Sequence, residues 1–114
     1  MSFFSKLLGK STTSEHIKIL EPQDFETGIR SKKTQLIDVR TAGEYRGGHI
    51  KNATNADVSN PAFFAQVCEK MSREQPVYLY CRSGARSRMA AKKLVAMGFT
   101  EIYDLRGGYL RWPH

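Results

Sequence analysis

Apolar positions along the chain fall into two rhythms that alternate with each other. His16-Ile17-Lys18-Ile19-Leu20 alternates with period two, and Gln35–Val39, Pro76–Tyr80 and Glu101–Leu105 are short runs rich in β-branched and aromatic residues. Such runs predict strands, and a further short strand is expected at 53–57. Between them the spacing becomes helical. Pro22 suits a first helical position, with Phe25 and Ile29 on the inner face, and a short helix follows through 42–45. Asn60 and Pro61 open a helix whose apolar stripe is Phe63, Phe64, Val67, Cys68 and Met71. The segment 88–97 predicts another helix, with Ala90, Ala91, Leu94 and Val95 inward and Arg88 and Lys92 in water, stopped by Gly98. Gly107-Gly108 turns the chain into a last helical turn over 109–112. Met89, Met97 and Trp112 read as core. Strands alternating with helices predict an α/β fold: a parallel sheet, right-handed crossovers and helices on both faces. Ligand sites in such sheets lie at the carboxyl ends of strands.

Residues 1–14 form an extension ahead of the domain 15–114. Phe3, Phe4, Leu7 and Leu8 fall on one helical face beside Lys6 and Lys10, and Ser11–Ser14 reads as a linker. A flexible end or a short amphipathic helix lying on its own domain is expected, because so short a helix is marginal alone.

At 114 residues the chain has room for one domain with a real core. The net charge of +7 favours an anionic partner or substrate. Nucleic acid is the first thought, but no Lys/Arg run exceeds two residues and no helix-turn-helix or zinc-finger spacing occurs, so no nucleic-acid partner is expected. Cys68 and Cys81 form no C-x-x-C pair, which argues against a zinc site or a dithiol. No metal or cofactor is expected. No apolar stretch reaches membrane-spanning length and the start does not read as a secretory signal. A lone active thiol suits a reducing compartment, so the cytoplasm is the expected location.

The candidate chemistry lies in Cys81-Arg82-Ser83-Gly84-Ala85-Arg86-Ser87. A cysteine there ends a buried strand below a tight loop that opens a helix. Unpaired N–H groups of the loop and first turn, with the helix dipole, make an anion site around the sulfur and favour its thiolate. Arg82 and Arg86 add positive charge. Cys81 is the candidate nucleophile, and Arg82, Ser83, Gly84, Ala85, Arg86 and Ser87 are the candidate substrate-binding loop. Asp38 and Arg40, where the second strand stops, are expected to be a supporting ion pair beneath it. His49 invites a Cys–His dyad, yet a loop-stabilised thiolate needs no base. Cys68, on an apolar stripe, reads as a small buried hydrophobe. A rival reading is a cysteine phosphatase or arsenate reductase, which wraps an oxyanion with a C-x5-R loop. Here Arg86 is the fifth residue after Cys81 and Ser87 the sixth, so the cradle is one residue shorter.

Three stretches together resemble the rhodanese family of sulfurtransferases. They are Leu36–Arg40 continuing to Glu44-Tyr45 and Gly48–Ala53, the loop Cys81–Ser87, and Gly107–Trp112. The resemblance implies a three-layer α/β/α fold whose five-stranded parallel sheet has the order 1-5-4-2-3. It implies transfer of a sulfane sulfur through a Cys81 persulfide. The partners would be an anionic small-molecule sulfur donor such as thiosulfate and a thiol, cyanide or protein persulfide as acceptor or donor. Non-catalytic rhodanese-like binding domains are the remaining alternative. They typically lack the cysteine that this chain keeps.

Overall fold

The computed structural model describes residues 15–113, so the extension expected over 1–14 lies outside the described residues. The elements, in order, are β1 (Ile17–Leu20), α1 (Pro22–Ile29), β2 (Gln35–Asp38), α2 (Ala42–Arg46), β3 (Thr54–Asn55), α3 (Pro61–Glu69), β4 (Val77–Tyr80), α4 (Ala85–Ala96), β5 (Ile102–Leu105) and a closing 3₁₀ turn, Tyr109–Arg111. The sheet runs β1-β5-β4-β2-β3, all parallel, the order that the resemblance implied. In register, Leu79 of β4 lies between Ile37 of β2 and Asp104 of β5.

The central strand β4 is buried along its whole length, as a parallel strand covered on both faces must be. Successive side chains divide between the faces. Val77 and Leu79 join one core with Phe64 and Cys68 of α3 and Ala90, Ala91 and Leu94 of α4. Tyr78 and Tyr80 join the other with Phe25 of α1, Ile50 and Leu105, and Trp112 packs against it. Phe25 meets Tyr78 and Trp112 edge-on at 5.2 and 5.9 Å between ring centres. Among the described residues, no helix is long and apolar enough to cross a membrane.

The structure corrects several expectations. The third strand shrinks to Thr54–Asn55, because it pairs only with Ile37 and Asp38 at the sheet edge. Helix α4 begins at Ala85 rather than at Arg88, so half of the expected loop is its first turn. Gly84, at φ +120°, turns the chain directly into the helix. Phe63 is 38% exposed, since Phe64 and Cys68, one turn apart, take the inner face of α3. Met89 is 49% exposed and not core, because Ala90, Ala91 and Leu94 set the inner face of α4.

Candidate active site

β4 delivers Cys81 at its carboxyl end, into the core side of the sheet, where the residue is 1% exposed. The reversal at Gly84 brings the start of α4 back over the sulfur. The Gly84 N–H donates to Cys81 Sγ at 3.0 Å and the Ser87 N–H donates at 3.3 Å. Both amides belong to the end of a helix that leaves its first N–H groups without internal partners. They supply the directed donors expected of the loop, and the helix dipole adds to them. The thiol contacts Ser87 Oγ at 3.5 Å. The Ser87 hydroxyl lies 2.6 Å from Asp104 Oδ1 and 3.1 Å from the Gly84 carbonyl. Arg82, Ser83 and Ala85 are exposed around this buried sulfur.

The closing turn fixes the loop from the other side. Tyr109 N–H donates to the Cys81 carbonyl at 2.9 Å and Leu110 N–H to the Arg82 carbonyl at 3.1 Å. Gly108 makes this approach possible: it sits at φ +67°, and a Cβ there would overlap the Arg82 carbonyl and lie 2.7 Å from the Cys81 carbonyl oxygen. The Gly-Gly pair is therefore a docking contact for the loop as well as a turn.

Two ion pairs flank the site. Asp38 and Arg40 are both buried, with Arg40 Nη2 2.7 Å from Asp38 Oδ2 and 2.7 Å from the Gly48 carbonyl. The Arg40 guanidinium stacks over Tyr109 at 4.5 Å and Tyr80 at 5.6 Å. Burial works against its charge, and the Asp38 carboxylate more than offsets that, so its pKa is raised. The pair thus braces the Gly48 turn and the closing turn. Arg86 makes a bidentate pair with Glu44 of α2, at 2.7 and 3.0 Å. Its hydrogen bonds hold the Glu44 carboxyl down to about 2. Of the two loop arginines, Arg86 is paired with Glu44 and Arg82 is exposed. His49 stacks on Tyr45 with ring centres 3.7 Å apart, and its Nδ1–H donates to the Tyr45 carbonyl at 2.8 Å. No hydrogen bond joins it to Cys81 among the described residues. Cys68 lies in the apolar core, where burial pushes its thiol up to about 11.

Three residues of the site, Glu44, Asp104 and Tyr109, go beyond the candidate site residues that the sequence singles out. Glu44 carried a signal, because Thr41-x-x-Glu44 is a capping box, and here both of its bonds are made. Asp104 carried one too, as a lone acid in the apolar strand Ile102–Leu105, where a buried carboxyl needs a partner. Tyr109 acts through its backbone N–H on the Cys81 carbonyl and through its ring under the Arg40 guanidinium, long-range contacts that no local signal marks. Among the described residues, no group of three His, Cys, Asp or Glu side chains is placed to hold a metal ion.

The family model for the Rhodanese-like domain matches residues 21–114. A Bacillus subtilis (strain 168) relative, Uncharacterized protein YqhL, is 43% identical over 96 residues, covering 84% of this chain and 72% of that protein. Thiosulfate sulfurtransferase 18 of Arabidopsis thaliana is 31% identical, with 95% and 87% covered. A tRNA uridine(34) hydroxylase of Chlamydia pneumoniae is also 31% identical over 87% of this chain, but the match takes in only 32% of that longer protein. Among solved structures, a Staphylococcus aureus rhodanese-like domain protein superposes with a TM-score of 0.73 at 25% identity, covering 84% of this chain and 91% of that one.

Proposed function

The chain belongs to the rhodanese-like domain family, and from that premise we propose that it is a sulfurtransferase which carries a sulfane sulfur on Cys81. One observation carries the reading: two backbone N–H groups, at 3.0 and 3.3 Å, point at the sulfur from the start of α4. Directed donors at a helix start stabilise an anionic sulfur and need no separate base. The Cys81 thiolate attacks the outer sulfur of the donor. With thiosulfate, a new S–S bond forms at Cys81, the donor S–S bond breaks, and sulfite leaves with the electron pair. The product is a Cys81 persulfide anion, one sulfur longer, toward which the loop amides act as an oxyanion hole acts on developing charge. An acceptor thiolate or cyanide then takes the outer sulfur and restores the Cys81 thiolate. The loop residues 82–87 are the proposed donor site. Among the described loop cations, the exposed Arg82 is the one proposed to meet a sulfonate, and Arg86 with Glu44 fixes the loop's shape. Lone-thiol chemistry of this kind suits a reducing compartment such as the cytoplasm.

A mass spectrum of the purified protein after thiosulfate, and separately after a small-molecule persulfide, tests the reading. One added sulfur atom that maps to the peptide containing Cys81 is expected with at least one donor. No added sulfur with either, together with hydrolysis of an aryl phosphate, would replace it with the phosphatase reading. The four-residue gap between Cys81 and Arg86 makes that second result unexpected, because the cradle is one residue short for a phosphate.

A further inference from the structure

Among the described residues two acids are fully buried, Asp38, which is paired with Arg40, and Asp104, which the sulfur transfer does not use. Asp104 is 1% exposed on the α4 face of β5, and its Oδ2 has no hydrogen-bond partner among the described residues. Its Oδ1 meets Ser87 Oγ at 2.6 Å, a length typical of a charge-assisted or strongly shared O–H···O contact. Ser87 Oγ in turn lies 3.5 Å from Cys81 Sγ. A single hydroxyl, with a single proton, therefore stands between a carboxyl and the candidate reacting sulfur. Resting on the reading of Cys81 as the nucleophile, we propose that Asp104 and Cys81 share one proton through the Ser87 hydroxyl, so that Asp104 is a positioning residue that sets the charge of the sulfur.

The step balances without any outside reagent. The Cys81 S–H bond breaks as its proton passes to Ser87 Oγ. The Ser87 hydroxyl gives its former proton to Asp104 Oδ1. One thiolate and one neutral carboxyl result, the serine hydroxyl is re-formed facing the sulfur, and no electrons change hands. In the thiol state, Ser87 donates to Asp104 and offers only a lone pair to the S–H. In the thiolate state, Asp104 donates to Ser87 and Ser87 donates to the sulfur, adding a third donor to the two backbone amides.

The surroundings of Asp104 press it toward the second state. An ionised Asp104 would leave a charged oxygen unpaired in the core, whereas a neutral acid leaves only a carbonyl oxygen unpaired. Burial pushes its carboxyl up to about 6, against the Ser87 hydrogen bond and the Arg88 guanidinium, which both lower it. The elements packed on Asp104 add little else: β1 places Ile19 and β4 places Leu79 beside it in register, and α4 supplies Ser87 and the exposed Arg88.

Iodoacetamide alkylation of Cys81 across pH tests this without a sulfur donor. Asp104→Asn fixes the neutral state, because its amide N–H can donate to Ser87 permanently. The wild type should show two steps, since a shared proton makes both groups follow both macroscopic titrations. Asp104→Asn should show one step, below the upper wild-type step, because the acid that gives up its proton there is gone. With Ser87→Ala as background, Asp104→Asn should change the rate by less than about twofold, because the coupling has lost its carrier. If the asparagine variant does not fold, carbon NMR of the Asp104 carboxyl decides: two steps in wild type and one in Cys81→Ala are expected. Superimposable alkylation profiles for wild type and Asp104→Asn, or identical carboxyl titrations in wild type and Cys81→Ala, would overturn the proposal. Sulfur loading without the alkylation shift removes the proton relay and keeps the sulfurtransferase. The shift without sulfur loading does the reverse.

Discussion

Cys68 and Cys81 lie in the same apolar core, 0% and 1% exposed, and meet opposite surroundings there. Cys68 sits on the inner face of α3, where among the described residues no donor reaches its sulfur. Burial alone pushes its thiol up to about 11, and the Arg73 charge only partly opposes that. Cys81 sits at a strand end under the first turn of a helix and accepts N–H groups from Gly84 and Ser87. Exposure does not separate the two. What separates them is whether backbone donors, left over from a helix start, are aimed at the sulfur.

The largest effect to expect is loss of sulfur loading in Cys81→Ser, because an unactivated hydroxyl neither attacks sulfur nor carries a persulfide. Cys68→Ser should load one sulfur as the wild type does, in single-turnover mass spectra of folded protein. Equal loss in both variants would break the comparison. Next comes Gly108→Ala. Its Cβ has no room against the Arg82 and Cys81 carbonyls, and φ +67° is strained for alanine. A loss of about 2–4 kcal/mol in urea unfolding is expected, from strain plus overpacking. As the loop shifts, Cys81 should also alkylate more slowly near neutral pH, toward the inertness of Cys68. Unchanged alkylation in a destabilised Gly108→Ala would show that the closing turn supports the fold without aiming the amides.

Cys68→Ser sharpens the contrast from the other side. In this apolar core a hydroxyl would find at best the helix carbonyl one turn back, and about 1–3 kcal/mol of stability should be lost. Cys68→Val, which adds no polar group, should lose less. Equal losses would mean that the site punishes a change of shape rather than of polarity.

Most of this arrangement could be read from the residues, for identifiable reasons. Strand runs at 35–39, 76–80 and 101–105 announced themselves because buried parallel strands are apolar on both faces, and the Pro61 and Gly98 boundaries because caps have strong chemistry. Cys81 stood out because a strand, a glycine-containing loop and a helix converge on it. What stayed hidden was pairing across distance. Glu44 and Arg86 are 42 residues apart in sequence, and nothing local tells an arginine in an anion-binding loop that its fork is occupied. Asp104 stays hidden because the strand pattern is carried by its apolar residues, while the meaning here lies in the single acid. Met89 reads as core because methionine is apolar by type, and only the small-residue face Ala90-Ala91 reveals that the helix packs too closely to admit it.

The smallest effect concerns the charges beside the two sulfurs. Near Cys68, Arg73 lies over the Phe99 ring at 4.8 Å and donates to backbone carbonyls, with no acid to hold it among the described residues. Near Cys81, Arg86 is held by Glu44, whose carboxyl the pair keeps at about 2 against an ordinary 4.5. In that window the unfolded chain binds more protons than the folded one at this group, so stability rises with pH. The contribution is fully present above pH 4.5 and is lost as pH falls toward 2. Both side chains are about 30% exposed, 31% and 29%, so solvent screening holds the contribution to about 1 kcal/mol. Asp104 runs the other way: its carboxyl is raised to about 6, so its contribution is present below an ordinary 3.8 and lost as pH rises to 6. Comparing Glu44→Gln with wild type cancels Asp104, which both proteins carry. Urea midpoints measured from pH 7 down to pH 2 should show the two proteins separated by about 1 kcal/mol at neutral pH and converging at the acid end. A separation that stays constant down to pH 2 would mean that the Glu44 carboxylate gains nothing from the Arg86 fork. The Arg86 fork would then be free to turn toward an anionic donor, and Arg86→Ala should weaken thiosulfate use as much as Arg82→Ala does.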